Sequence, residues 1–349
     1  MTDFDVVIVG AGVAGSAAAI ELRSAGWRVG LLHKRDNVTR VESLSPGAVH
    51  DLHKLSVDMG QSISDVVAWW GSEHAKRARY PNARVVERSM LAEGLRKRAV
   101  EEGARELEIE GHLSIERQDD RWCLECEAPE SGQYRFTTTY LVDATGRARV
   151  VARRLGAKWM TMDQLFSLAV EVVEPMVIGT WTESNPEGWW SLSSLGEKGT
   201  LSFYSSASVV REAKAGIVLQ FDKTEHLRNL ISTRQFLNPT VRPCGSSFLI
   251  PCAGLGWFAV GDAAWTVQPL ASAGIAKALR DAQVVRQLLE QESSRYDRFQ
   301  TVEFDAYLRR LKQHYRIENR WPTRPFWRIP KGNPSNDGRA ELPFPNLAI

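Results

Sequence analysis

Phe4-Asp5-Val6-Val7-Ile8-Val9-Gly10-Ala11-Gly12-Val13-Ala14-Gly15 is the stretch on which the reading of this chain turns. Five of its first six residues are apolar and most of those are β-branched, which predicts a buried parallel strand rather than a helix. The glycines that follow have separate tasks. Gly10 permits a tight turn, Gly12 lets backbone approach a pyrophosphate, and Gly15 lets the next helix pack closely on the strand. An alanine-rich helical run continues to Gly26, and its first turn offers unpaired N–H groups and partial positive charge to phosphates. A second strand, Arg28-Val29-Gly30-Leu31-Leu32, completes a dinucleotide-binding unit.

One slot of that unit is unusual. An acidic residue ordinarily closes the second strand and holds the ribose hydroxyls, about 20 residues after the glycines. Here the slot falls on His33, followed by Lys34 and Arg35, with Asp36 close by. A neutral imidazole can still exchange a hydrogen bond with a hydroxyl, so ribose recognition is altered or moved and the phosphate motif is intact.

Composition narrows the class. At 349 residues, with 43% hydrophobic and 25% charged side chains, the chain suits one large core or two domains sharing an interface. A net charge of +2 gives no polyelectrolyte argument for nucleic acid or for an anionic membrane. No apolar run approaches the roughly 18 residues of a membrane span. The first strand starts at Phe4, which leaves no room for a signal peptide, so a cytoplasmic protein is expected. Cys123 and Cys126 form a CxxC inside Trp122-Cys123-Leu124-Glu125-Cys126-Glu127. That stretch alternates like a strand and would turn the two thiols to opposite faces, so no metal site is expected. The 12 tryptophans gather outside the nucleotide turn, and most read as packing residues.

Further along, Gly47 to Leu55 and Ser89 to Glu102 read as helices, the second with Leu91, Leu95 and Ala99 on one stripe. Arg88, just before that helix, is a candidate for a phosphate or ribose contact. Residues 105 to 143 alternate like a β-meander and end in Asp143-Ala144-Thr145-Gly146, which suits a second close approach of backbone to the dinucleotide. Strands resume from about 160 to 250, as a sheet inserted between pieces of the nucleotide domain. Gly256 to Val260 then runs into Gly261-Asp262, and a helix starts near Ser272-Ala273-Gly274. The Asp262 carboxylate can accept from a ribityl hydroxyl. The helix start can face the edge of a flavin that gains negative charge on reduction.

Together, Gly10/Gly12/Gly15, Asp143-Ala144-Thr145-Gly146 and Gly261-Asp262 with Pro269 and Gly274 resemble FAD-dependent monooxygenases of the aromatic-hydroxylase type. Three further stretches resemble the branch shared with flavin-dependent halogenases. They are Glu42-Ser43-Leu44-Ser45-Pro46, Gln268 to Gly274, and Tyr315 to Trp327. With Trp70-Gly71-Ser72 and Gly188-Trp189-Trp190, these are most similar to the flavoproteins that mature cysteine tryptophylquinone in lysine and glycine oxidases. The pattern departs from the halogenases at Gln268, where they carry an acid, and at Trp189-Trp190, where their WxWxIP is absent. Their lysine has no clear counterpart, and Lys76 reads as a surface residue.

The resemblance implies an α/β fold: a Rossmann-like FAD-binding domain, an inserted β-sheet substrate domain and a C-terminal helical segment. The expected division is 1–60, 87–160 and 244–300 for FAD, 61–86 and 161–243 for substrate, and 301–349 for the helix and tail. It implies non-covalent FAD, with O2 as co-substrate and NAD(P)H or a separate reductase as electron source. The implied activity is hydroxylation of an aromatic ring through a C4a-hydroperoxyflavin, the ring being a tryptophan of an oxidase precursor. A free small aromatic is the alternative substrate, and a flavin-holding assembly factor the alternative class. Candidate FAD contacts are Gly10, Gly12, Ala14, Gly15, His33, Lys34, Arg35, Ser43, Arg88, Ala144, Thr145, Gly146, Gly261, Asp262, Pro269, Ser272, Ala273, Gly274 and Ile275. Trp265, Gln268, Pro269, Trp189 and Trp190 are the expected catalytic or substrate-side residues. The turn-rich tail from Lys331 to Ile349 is expected to be dispensable for FAD.

Overall fold

Strand β1 (Thr2–Val9) lies between two parallel neighbours, Val29–His33 (β2) on one side and Gln133–Asp143 on the other. The parallel set extends to Arg105–Glu108 beyond β2 and to Trp257–Ala259 beyond Gln133–Asp143. The computed structural model describes residues 2–34, 39–129, 132–175 and 177–328, and Arg35 and the tail from Lys331 lie outside them. Val6, Val7, Ile8, Leu31, Leu32, Leu141 and Val142 are fully buried, as apolar strands covered on both faces must be. Helix α1 (Val13–Ser24) packs against the helices Arg88–Glu101 and Gly274–Leu288. Arg88–Glu101 and Pro46–Lys54 fall within a residue of the boundaries read from the sequence.

The expected meander divides. Arg105–Glu108 is a parallel strand of the main sheet, whereas Glu110–Gln118, Arg121–Glu127 and Gln133–Asp143 pair antiparallel in sequence order. Cys126 is buried on the second of these and its thiol is pushed up to about 11 by burial, so it is inert at neutral pH.

A second sheet of seven strands runs Phe236–Pro243, Phe166–Val173, Lys198–Ser205, Gly188–Leu195, Ile178–Asn185, Asp65–Trp69 and Lys76–Arg79. Strand alternation gives it two unlike faces. One carries Leu168, Val170, Trp190, Leu192, Leu201 and Phe203, closed by Phe221 and Val210 from the helices above it. The other carries Ser167, Ala169, Trp189, Ser191, Thr200, Ser202 and Tyr204, and β3 (Val41–Leu44) packs over it. Within the stretch expected for the substrate domain, Arg84–Glu87 pairs instead with β3 on one side and with Gln61–Ser62 on the other.

The 25-residue helix Ser293–Ile317 delivers the chain to a node where distant segments meet. Trp70 stands edge-on to Trp189, Tyr315 and Trp327, with centroids 6.3, 5.9 and 5.5 Å away. Its indole donates to the His314 carbonyl at 2.8 Å. The buried Glu318 carboxylate fastens this node. It accepts from Gly71 N at 2.7 Å, Ser184 Oγ at 2.5 Å and Arg320 Nη2 at 2.7 Å. Gly71 has to be glycine: φ is +67°, and a Cβ would fall 2.4 Å from the Ile317 carbonyl.

Burial alone would push the Glu318 carboxyl up, but hydrogen bonds from Arg320, Ser184 and Gly71 outweigh it and hold it below the ordinary value of 4.5. A carboxyl whose folded pKa is depressed contributes stability above its unfolded pKa and loses it as pH falls through the folded pKa. Glu318→Gln is therefore expected to cost about 1–3 kcal/mol at neutral pH. The difference in Tm from the parent should shrink as the pH is taken below 4.5. A pH-independent difference would show that charge on Glu318 is not what holds the node.

Candidate functional site

Three glycine turns meet at the carboxyl edge of the parallel sheet. Val9 is in register with Asp143, and Asp143 with Ala259, so β1 and its two successors end side by side. The turns are tied to one another: Ala144 N donates to the Val9 carbonyl at 2.9 Å, and Val260 N to the Asp143 carbonyl at 2.9 Å. Ligands of open parallel sheets bind at such an edge.

The glycines sort by what a side chain would meet. A Cβ on Gly10 (φ +106°) would lie 2.5 Å from the Ala144 carbonyl oxygen, and one on Gly15 only 1.8 Å from the Gly10 carbonyl oxygen. One on Gly261 (φ +59°) would lie 2.7 Å from the Ala14 methyl. These three allow backbone to meet backbone or helix. Gly12 is different: it caps α1, and a Cβ there would meet no protein atom within 4 Å. Gly146, in the second turn, likewise faces open space. The room at Gly12, in front of the α1 N-terminus, is the shape a pyrophosphate needs.

Asp143 organises the middle turn from inside. Its buried carboxylate accepts from Thr145 N (2.9 Å), Thr145 Oγ1 (2.6 Å), Val151 N (3.0 Å) and Ala152 N (2.8 Å). Burial raises its pKa while these donors oppose the shift. Thr145 is thereby committed to the turn, which leaves the backbone of Ala144 and Gly146 for a ligand.

At the ribose slot, His33 Nε2 lies 2.9 Å from Glu106, while Nδ1 is buried and has no partner among the described residues. Such a nitrogen costs about 1–3 kcal/mol unless a ligand hydroxyl satisfies it. Lys34 turns away and donates to the Gly111 carbonyl at 2.8 Å. Arg88 is held by both oxygens of Glu42 at 3.0 Å, on the strand that carries Ser43.

The third turn is braced by residues the sequence reading missed. Buried Lys277 donates to the Gly261 carbonyl at 2.7 Å and to Asp281 at 2.6 Å, and Asp281 accepts from Gly261 N at 2.8 Å. The only linear hint was the i,i+4 spacing of that pair. Arg149 donates to the Ala263 carbonyl at 3.0 Å, and Arg147 lies 3.8 Å from Asp262. Asp262 itself remains open to solvent along its side chain. Ser272, in the left-handed region (φ +47°), accepts from Ser43 Oγ at 2.8 Å. Ala273 caps the helix that begins at Gly274, with Ile275 buried in its first turn. Pro269 is half-buried in the short turn Pro269–Ala271 that leads there.

The expected substrate-side residues do not form one group. Trp265 is core: its indole donates to Gln300 at 2.5 Å, and the Lys277 ammonium lies 4.3 Å over its ring. Gln268 is buried, its N–H donating to Tyr307 Oη and its Oε1 accepting from Tyr315 Oη, both at 2.8 Å. Strand alternation sends Trp190 into the apolar core beside Phe203 and Phe221. Trp189 alone occupies the polar face, stacked on Tyr204 at 3.8 Å with its indole nitrogen unpartnered among the described residues. Ser191 and Ser202 flank that pair, a period-2 signal present in Trp189-x-Ser191 and Ser202-x-Tyr204.

A family model described as "FAD binding domain" matches residues 3–228. LodB of Marinomonas mediterranea, named as an FAD-dependent oxidoreductase, is 24% identical over 94% of this chain and 96% of its own. QhpG, a peptidyl tryptophan dihydroxylase essential for tryptophylquinone cofactor biogenesis, superposes with a TM-score of 0.77. The match is 20% identical and covers 97% of this chain and 80% of that one. The myxobacterial chondrochloren halogenase CndH superposes at 0.84, 18% identical over 96% of this chain and 87% of its own. At these identities the structural likeness is one of fold. No helix among the described residues is long and apolar enough to cross a membrane.

Substitution at the two kinds of glycine should separate. Gly12→Val is expected to leave a folded protein with a parent-like Tm that no longer retains the dinucleotide, because the added side chain fills ligand space. Gly15→Ala is expected to lower Tm, since overpacking against backbone costs at least about 1–3 kcal/mol. Dinucleotide content and Tm measured on both variants decide it; retention by Gly12→Val would misplace the pyrophosphate.

Proposed function

Because the chain belongs to the FAD-binding-domain family, as an FAD-dependent oxidoreductase, we propose that it is a monooxygenase that hydroxylates a tryptophan side chain of a partner protein during quinone cofactor biogenesis. The observation that carries this reading is the polar sheet face. It holds one aromatic stack, Trp189 on Tyr204, among small hydroxyl residues, and lies under the strand that joins Ser43 to Ser272. Trp189 and Tyr204 are themselves buried, so the stack gives the site a rigid aromatic floor, beside which an indole N–H would be met by hydroxyl groups. Both LodB and QhpG support the assignment, the second through the reaction its name states.

The chain's residues have definite parts in this scheme. The α1 N-terminus and the room at Gly12 hold the pyrophosphate, and His33 Nδ1 and Asp262 exchange hydrogen bonds with sugar and ribityl hydroxyls. The start of the helix Gly274–Leu288 directs N–H groups and its positive end toward the flavin edge. FAD, when bound, would supply the redox chemistry, with electrons from NAD(P)H or a partner reductase and O2 as co-substrate. Ser43, Ser272 and Pro269 define the wall beside it, and the sheet face excludes water and orients the ring.

Oxygen transfer is favoured over halogenation by two placements. The Gln268 amide is held between two tyrosines and cannot act as an acid. Lys76 is exposed on the edge strand Lys76–Arg79, paired with Ala68. The test is co-expression with neighbouring-gene products, followed by intact mass of each in the presence of excess bromide. A partner that gains oxygen on a tryptophan, and no bromine, is the expected outcome. A brominated product that is lost in Lys76→Ala, or no modification of any partner, would overturn the proposal.

A further inference from the structure

A cavity of about 190 Å³ opens where β3 meets the outer strands of the polar sheet face. Arg40, Arg242, Thr240, Thr39, Thr200 and Glu171 are among its lining residues. Arg40 is half-buried at the entry to β3, and its side chain makes one hydrogen bond, from Nη2 to Thr240 Oγ1 at 3.1 Å. Arg242 follows Thr240 by two residues on one strand, so both point to the same face. Its guanidinium has no hydrogen bond or ion pair among the described residues. The nearby acids are engaged elsewhere. Glu42 holds Arg88, and Glu171 accepts from Thr39 Oγ1 at 2.6 Å and Asn238 Nδ2 at 3.1 Å.

The half-buried Arg40 guanidinium and the exposed Arg242 guanidinium therefore line one cavity with most of their N–H donors unmatched within the protein. Burial, and then the charge of Arg242, lower the Arg40 pKa, which records the same strain electrostatically. Burial of Arg40 beside a second positive charge is costly by itself and favourable around an anion that accepts two parallel N–H bonds. The charge balance selects the anion. Two arginines and the Glu171 carboxylate leave one net positive charge, which a single carboxylate neutralises; a phosphate dianion would overshoot beside Glu171.

We propose that Arg40 and Arg242 form a carboxylate-binding subsite at the rim of the hydroxyl-lined sheet face. This deepens the function proposed above and rests on it: the carboxylate belongs to an acidic side chain near the target tryptophan of the partner polypeptide. Arg40 lies three residues before Ser43, so the subsite and the wall beside the flavin share one strand.

The subsite is tested without turnover. The flavin-loaded protein is treated with phenylglyoxal, and the modification rates of Arg40 and Arg242 are followed by peptide mass, with propionate or inorganic phosphate added at equal ionic strength. Propionate is expected to slow both rates about fivefold, the protection given by a ligand at about four times its dissociation constant. Phosphate should protect much less. In Arg242→Gln, propionate should no longer protect Arg40, while flavin content matches the parent and so reports an intact fold. No protection by propionate in the parent protein, or undiminished protection in Arg242→Gln, would overturn the subsite; equal protection by phosphate would overturn its selectivity for carboxylate. Because no oxygenation enters the measurement, failure of the subsite and failure of the proposed reaction are read separately.

Discussion

Helix α1 can begin where it does only because Gly15 and Gly10 let it lie against the end of β1. A Cβ on Gly15 would sit 1.8 Å from the Gly10 carbonyl oxygen, so nothing larger than hydrogen fits. That contact fixes the direction in which the α1 N-terminus points, and the rest of the edge is arranged around it. Gly261 presses on Ala14 from the third strand, Ala144 on Gly10 from the second, and Asp143 ties the second turn from within. Lys277 and Asp281 then grip both sides of the Gly261 peptide. The lysine–aspartate pair is fully buried, a costly arrangement unless each charge is well supplied with hydrogen bonds. Here the backbone of Gly261 and Gln300 supply them.

The seven-stranded sheet divides its labour by face. The Trp190 face carries a dry core and gives the sheet its stability. The Trp189 face is buried and more polar, and hydroxyl groups there cost little because they find partners: Ser191 reaches Tyr204 Oη within the sheet, and Thr200 accepts from Val41 N of β3. The C-terminal node closes over it from the other side, with Glu318 and Arg320 pinning the Trp69–Gly71 turn.

The dinucleotide unit was legible in the sequence because its logic is local: strand, turn and helix follow one another within about 30 residues. The resemblance-bearing segments were legible as motifs, but not that Trp70-Gly71, Trp189 and Tyr315 to Trp327 would meet at one node, which is a long-range contact. Trp189 and Trp190 look like a pair in the chain and part company in space, since a strand alternates. Trp265 and Gln268 sit among motifs, yet their partners Gln300 and Tyr307 come from a part of the long helix with no motif of its own, and only Tyr315 lies in a resemblance-bearing stretch. Arg40 is 200 residues from its partner Thr240, with Arg242 two residues further on, so the pair carries no local signal.

The central claim is that three turns from distant parts of the chain form one cradle for FAD. Hydrogen exchange on the flavin-free protein, with and without added FAD, tests it most directly. Peptides covering residues 10–16, 143–147 and 261–275 should gain protection together, at the same FAD concentration. A separate cavity of about 580 Å³ lies at the far end of α1 between Glu21, Lys54, Arg98 and Arg286, and peptides there should be unchanged. Protection confined to that groove, or to residues 10–16 alone, would contradict the account.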